Sequence, residues 1–376
     1  MDQVASLVEG LPHSAPGPDG VPYGAWRALG PAAHRALHAL FMQGWLDGVL
    51  PDKFNYMRNI FIPKGELFEE ELIVSAYVDK LRPLACSSTD AKVIALLLNR
   101  TLSALCTVAV SAPQRGFVSG RVISDNIIIL ETAMMKFYCT SARSAASILF
   151  DFANAFPSIA HQWIFCVPER LPVPPQALRL IKLLYSDCRA MLMFNGVPVG
   201  FIAILSGIKQ GCPLSGSIFT LAVDPLIRCF LVASLVNRFA MTAYADDLAI
   251  VLADVFTDLP LLLRIFGRWS CASALKLNFT KCVLIPLWRY SLDDVRDWIR
   301  SAVPDFLGCL IAAAGKYLGV WMGPAAHSCQ WSDIAPKLGA RAAEIRLCDR
   351  GLASKLRIFH DLRRQHASVP APVRRH

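Results

Sequence analysis

Three apolar runs that end on or enclose aspartate limit most tightly how this chain can fold. Ala145–Phe150 (AASILF) reads as a buried strand and stops at Asp151. Met241–Tyr244 and Leu248–Leu252 flank Ala245-Asp246-Asp247, the pattern of a β-hairpin with acidic residues at its turn. Aspartate is a poor strand residue, and its charge is costly beside an apolar core unless it is paired or bound to a cation. If the two elements are neighbours in one sheet, the carboxylates converge and raise one another's pKa unless a divalent ion intervenes. Hard oxygen ligands suit Mg²⁺, which binds through one or two carboxylates plus substrate phosphates. Two such ions can activate an attacking hydroxyl and stabilise the leaving oxygen of an in-line phosphoryl displacement. Taken alone, Asp-Asp is more often a plain turn, since aspartate favours turns.

The rest of the chain is mixed in pattern. A Pro/Gly-rich opening leads into a predicted helix over Tyr23–Gly48, and a short strand over Asn59–Ile62 precedes Pro63-Lys64-Gly65. Glu66–Lys80 reads as an acidic loop. Helical periodicity marks Asp90–Val110 and Ser124–Phe137, Pro213 opens a further helix, and Leu338–Arg364 is predicted to be helical and basic. Irregular alternation of this kind predicts an α+β protein with a small antiparallel sheet.

With 376 residues, 54% of them hydrophobic, the chain can bury a core for two or three subdomains. The mean hydropathy of +0.42 makes a membrane reading the first to test. The most apolar stretches are Val93–Val110, which contains Arg100, and Ile218–Val236, which contains Asp224, Pro225 and Arg228. Those charges predict buried core helices and no membrane partner. The opening residues lack the basic and apolar blocks of a secretory signal. Twelve cysteines without a CxxC pair, or a His at metal-ligand spacing, predict reduced, buried thiols. Together these features predict an intracellular protein, nuclear or cytoplasmic, neither secreted nor in a membrane. The net charge is +9, and Lys337–His376 holds ten Lys/Arg against three Asp/Glu. Such a tail can neutralise phosphates, or it can be a solvated helix face.

The surroundings of the aspartates resemble a known family. Tyr244-Ala245-Asp246-Asp247 resembles the signature hairpin of reverse transcriptases, and Phe150-Asp151-Phe152-Ala153-Asn154-Ala155-Phe156 resembles their first catalytic strand. Ser206-Gly207-Ile208-Lys209-Gln210-Gly211-Cys212-Pro213-Leu214-Ser215 resembles the Gln-Gly helix entry between them. Leu81-Arg82-Pro83-Leu84 and Gln114-Arg115-Gly116-Phe117 resemble upstream fingers motifs. Leu277-Asn278-Phe279-Thr280-Lys281 and Tyr317-Leu318-Gly319-Val320 resemble the two motifs after the hairpin. Gly17-Pro18-Asp19-Gly20-Val21-Pro22 resembles the N-terminal extension of non-LTR (LINE-type) elements. The likeness keeps its order from about residue 14 to about residue 325, and an ordered series is far more specific than one short motif.

The resemblance implies a right-hand polymerase fold. Residues 1–144 would form an N-terminal extension and fingers, 145–325 a palm with a fingers segment at about 165–200, and 326–376 a truncated thumb and basic tail. It implies an RNA-directed DNA polymerase that extends a primer 3′-OH with dNTPs by a two-metal mechanism. Two Mg²⁺ ions, with Mn²⁺ as a substitute, would be held by Asp151, Asp246 and the carbonyl of Phe152, with Asp247 as a third carboxylate nearby. Lys64, Arg82, Phe156, Gln210 and Lys281 are implied to meet the incoming dNTP. In this set Arg82 and Lys64 bind the triphosphate, Phe156 excludes the 2′-OH, and Lys281 lies near the leaving pyrophosphate. Tyr317, Leu318 and Gly319 resemble the primer grip. The implied partners are an RNA template, a DNA primer, dNTPs and other domains of the same element. Viral RNA-dependent RNA polymerases usually carry Gly-Asp-Asp at the hairpin, which this chain lacks. Two departures are visible: Pro157 stands where many members carry Asp, and Gly216 where Pro is commoner. Without an endonuclease ahead of it or an RNase H behind it, the sequence reads as one piece of a mobile-element reading frame. A catalytically silent fragment that binds RNA or a partner stays open as the alternative.

Overall fold

The computed structural model describes residues 2–11, 15–63, 68–70, 73–75, 81–140, 144–194, 196–237, 239–332 and 334–347. The strands in order are β1 (Tyr56–Pro63), β2 (Phe68–Glu70), β3 (Ile73–Ser75), β4 (Leu81–Ser87), β5 (Ala146–Phe150), β6 (Arg189–Phe194) and β7 (Val197–Ala203). They continue with β8 (Ala240–Tyr244), β9 (Asp247–Leu252), β10 (Val283–Pro286), β11 (Leu310–Ile311), β12 (Gly315–Tyr317) and β13 (Val320–Met322). Helices alternate with them irregularly, so the chain is α+β as expected.

The chain divides into two compact units. One gathers residues up to Arg121, Phe152–Leu231 and Ile265–Lys276. The other gathers Val122–Asp151, Val232–Arg264 and the chain from Leu277 onward.

The first unit contains a four-stranded sheet in the order β4-β1-β6-β7. β1 runs antiparallel to β4 and parallel to β6. Its helical part packs Val4, Val8, Tyr23, Leu37, Val93 and Leu97 into one buried cluster. The helix expected over Tyr23–Gly48 is broken: it runs as Tyr23–Leu29 and Pro31–Met42, followed by a π-turn over Gln43–Asp47. Pro31 has no N–H to continue the first helix and disfavours helical geometry at the residue before it, so Gly30 turns at φ 52° and Pro31 restarts the helix. Gly48 closes the run in the left-handed conformation at φ 71°. The expected loop over Glu66–Lys80 is corrected in part. Glu69 pairs with Val74 in a short β2–β3 hairpin, because the apolar Ile73 and Val74 favour extended pairing over a solvated loop.

The second unit is built on a five-stranded sheet in the order β11-β10-β5-β9-β8. All its pairs are antiparallel except β10 with β11. β5 lies at the centre and is buried at every residue, which is why its sequence is an unbroken apolar run. Helix Ile123–Cys139 covers one face, setting Leu130 and Met134 against Leu149, Ala249 and Val251. Tyr317 and Met322 of the β12–β13 hairpin join the same cluster.

Two helices, Thr89–Ala109 and Ser215–Ser234, are long and apolar enough to cross a membrane by length and composition, despite the charges within them. Their most apolar stretches are 44% and 61% buried inside the protein, so only the second is mostly buried. Among the described residues the cysteines are free, but only Cys86, Cys106, Cys188, Cys282 and Cys309 are buried. Cys139, Cys166, Cys229 and Cys271 are exposed, which corrects the expectation of buried thiols. Those four lie in helices with a solvent face, where an apolar neighbourhood in sequence does not mean burial in space.

Candidate active site

The sheet of the second unit brings the acidic residues together. Phe150 on β5 pairs with Leu248 on β9. Asp151 is the next residue after Phe150 and Asp247 the residue before Leu248, so the two aspartates stand at the same end of these neighbouring strands. Tyr244 pairs with Asp247, so Ala245 and Asp246 form a two-residue turn. Ala245 adopts φ 55°, the positive value that the first position of such a turn requires and that an alanine adopts only under strain.

The three carboxylates sense one another. Asp247 is exposed, yet the protein bulk around it, and then the charges of Asp246 and Asp151, push its pKa up to about 6. Burial raises Asp151 as well and Asp246 adds to the rise, while the ammonium of Lys281 and a hydrogen bond from the Asn278 side chain oppose it. The backbone holds Asp151 in place from both sides. Its N–H donates to Cys282 Sγ at 3.5 Å, and its carbonyl accepts from the Asn278 N–H at 2.8 Å.

A second anchor reaches the hairpin turn from below. Tyr317 is buried, and its hydroxyl receives the Asn126 amide at 3.1 Å. The same hydroxyl meets Thr242 Oγ1 at 3.1 Å and donates to the carbonyl of Asp247 at 3.4 Å. Leu318 and Gly319 form the turn between β12 and β13, both with positive φ (49° and 85°).

The first unit holds the remaining expected residues. Arg82 is exposed on β4, opposite Ile62. Gln210 accepts from the Ala85 N–H through its carbonyl at 2.8 Å, which ties its loop to β4. Gly211, at φ 104°, lies so near the backbone of Ala85 that an added Cβ would stand 3.2 Å from its oxygen. Phe156 begins a short helical turn over Ala155–Ser158, and its carbonyl accepts from the Ile208 N–H at 2.7 Å. Its ring stacks on Phe219 at 4.4 Å between centroids. Phe152 turns its ring into the core, edge-on to Phe266 at 6.1 Å and to Trp269 at 5.8 Å. Lys64 lies outside the described residues.

Several contributing residues were not singled out by sequence reasoning. Asn278 sits in a quoted motif, but its bonds to Asp151 depend on a fold that joins residues far apart in the chain. Lys209 would pass for a surface cation. Instead it is buried, donating to the Leu184 carbonyl at 2.6 Å and to Asn55 Oδ1 at 3.3 Å, with the Tyr185 ring 5.4 Å away. Asn126 and Thr242 carry no local signal at all.

The donor set suits a hard divalent cation: carboxylate oxygens only, with Asp151 and Asp247 raised in pKa first by burial and then by neighbouring carboxylate charge that a cation would relieve. Among the described residues no three His, Cys, Asp or Glu side chains form a metal cage by themselves.

A profile of the family described as reverse transcriptase (RNA-dependent DNA polymerase) matches residues 62–322. The chain therefore belongs to the reverse transcriptase family, whose members generally use divalent metal ions. Its relatives include proteins of transposable elements. One is the Transposon TX1 uncharacterized 149 kDa protein of Xenopus laevis, 27% identical over 295 residues, which are 75% of this chain and 21% of the relative. Another is the Retrovirus-related Pol polyprotein from type-1 retrotransposable element R2 of Bradysia coprophila, 26% identical over 72% of this chain and 30% of the relative. The corresponding R2DM polyprotein of Drosophila melanogaster is 25% identical over 72% of this chain and 25% of its own length. The chain thus spans less than a third of the length of each of these curated relatives.

Proposed function

We propose that this chain is the polymerase portion of a non-LTR retrotransposon reverse transcriptase, extending a DNA primer with dNTPs along an RNA template inside the cell. The observation that carries the reading is the placement of Asp151 and the Asp246-Asp247 turn at one end of neighbouring strands, where burial and then each other's charge raise the pKa of Asp247. In this reading two Mg²⁺ ions, or Mn²⁺ in their place, are held by Asp151 and Asp246, helped by Asp247 and the Phe152 carbonyl. Bound there, they would supply activation of the 3′-OH and neutralise charge on the leaving pyrophosphate.

The protein's own groups do the rest. Asn278 and Lys281 favour the ionised form of Asp151, against the burial that raises its pKa. Lys281 also stands ready to give a proton to the departing pyrophosphate. Arg82 takes the triphosphate through its planar fork, with Lys64 as a second cation. Gln210 contacts the nucleotide where Gly211 lets the backbone come close. Phe156 excludes a 2′-OH by bulk. Because the Tyr317 ring is buried, gripping the primer falls to the Leu318–Gly319 turn, where Gly319 is exposed. The five-stranded sheet serves as the palm, residues 1–144 with about 165–200 as the fingers, and the basic segment from 326 as the start of a thumb that binds duplex phosphates.

Primer extension on an RNA template, with Asp246→Asn as the comparison, tests the assignment. The variant is expected to lose at least about a hundredfold in rate, the scale of deleting one electrostatic contact to the transition state. Equal rates in the two proteins would remove the metal site.

A further inference from the structure

Phe117 is half exposed (52%) yet adopts φ 58°, a conformation that bulky side chains avoid. Such strain persists only where the surroundings enforce it. Here they do. Buried Gln114 accepts the Gly116 N–H through Oε1 at 2.9 Å, and Thr220 Oγ1 donates to the Gly116 carbonyl at 3.2 Å. Arg121 donates to the carbonyls of Val110, Ser111 and Gln114 at 2.8, 2.7 and 2.6 Å. The loop is therefore rigid, and it delivers the Phe117 ring to one place. One side of the ring lies over Gly216, the second residue of helix Ser215–Asn237. A Cβ added there would fall 2.6 Å from Cγ and Cδ1 of Phe117 and 3.0 Å from its Cβ. Contacts so close to the backbone cannot be relieved by moving a ring tip; the whole ring would have to swing away. The edge of the ring meets Phe156, with centroids 6.3 Å apart and planes at 82°. Phe156 is thus held on its face by fully buried Phe219 and on its flank by Phe117.

From this packing we propose that Phe117, seated on Gly216, is the positioning residue that fixes the Phe156 ring and so sets how strictly the enzyme rejects ribonucleotides. The inference rests on Phe156 being the residue that meets the sugar. Without its flanking ring Phe156 can tilt, and the space it denies to a 2′-OH opens. The bare Cα of Gly216 matters because any side chain there would push Phe117 off its seat.

The test is the ratio of kcat/KM for a dNTP to that for the matching ribonucleotide in primer extension. It is measured in the wild-type chain and in Phe117→Ala, Gly216→Ala, their double variant and Phe156→Ala, with folding checked by thermal melting. Phe117→Ala and Gly216→Ala are each expected to lower the ratio by about three- to tenfold, the range an aromatic edge contact can supply. The double variant should match Phe117→Ala, because with the ring gone the alanine at 216 has nothing to displace. If Phe156→Ala lowers the ratio while neither of the other single variants does, the positioning role is wrong and the polymerase reading stands. Independent, multiplicative losses in the double variant would disprove the seat. If Phe156→Ala leaves the ratio unchanged, or the wild-type chain incorporates nothing, the reading of the site fails and this inference fails with it.

Discussion

Replacing Tyr317 by phenylalanine deletes one hydroxyl and keeps the ring, and the structure makes its effect calculable. Tyr317 is 3% exposed, and Asn126 and Thr242 are fully buried, so water cannot replace what is lost. The hydroxyl serves Asn126 Nδ2 and Thr242 Oγ1 at 3.1 Å each and the Asp247 carbonyl at 3.4 Å. Asn126 Oδ1 is already buried without a partner, so its side chain has little freedom to seek another arrangement. One lost hydrogen bond costs about 1 kcal/mol, and each buried group left unsatisfied costs about 1–3 kcal/mol. The two buried side chains therefore predict a destabilisation of about 2–4 kcal/mol. Urea unfolding should show this as a lower midpoint with an unchanged slope. Primer extension should fall with it, since the strand start that carries Asp247 loses its tether. In Tyr317→Phe/Thr242→Val both partners become apolar, and part of the loss should return. A loss below about 0.5 kcal/mol, the scatter of ordinary surface substitutions, would refute the idea that this hydroxyl braces the hairpin.

Two further outcomes follow from the same geometry. In the absence of divalent ions, Asp247 has a folded pKa of about 6 against an ordinary 3.8, so the folded state binds its proton more tightly than the unfolded chain does. Its stabilising effect is thus complete in acid and is lost as pH rises through about 6; Asp247→Asn should melt close to wild type near about pH 4 and higher than wild type near about pH 8. A gap that does not widen with pH would mean that burial and the neighbouring carboxylates do not raise the pKa of Asp247. Gly207 sits at φ 88° with a would-be Cβ 2.5 Å from the Pro157 carbonyl oxygen, so Gly207→Ala should cost about 2–4 kcal/mol in chemical denaturation. A near-neutral result would show that the loop carrying Gln210 can shift freely.

What could be read from the sequence was whatever short-range pattern encodes. β5, β8 and β9 announce themselves because each is a run of apolar residues bounded by aspartate, and a strand buried on both faces has no need of alternation. Helices Thr89–Ala109 and Ile123–Cys139 lie within two residues of their predicted limits, since their apolar periodicity is long. The helix break at Gly30-Pro31 is also local, and attention to the proline would have found it. The rest depends on partners remote in the chain. Asn126 and Tyr317 are 191 positions apart, and Cys282 is 131 from Asp151. A buried lysine such as Lys209 looks like any surface cation until the Leu184 carbonyl that receives it is known.

This division has a physical origin. Asp151 and Asp247 sit at the ends of strands, and strand ends are set by local pattern, so their positions can be inferred from sequence. The residues that hold those carboxylates against their own repulsion come from wherever the fold brings a donor within reach. Asn278 beside Asp151 and Tyr317 beneath Asp247 are both of this kind. Close carboxylates tend to splay apart, and the bonds that the backbone of Asp151 makes to Cys282 and Asn278, and that of Asp247 to Tyr317, oppose that tendency.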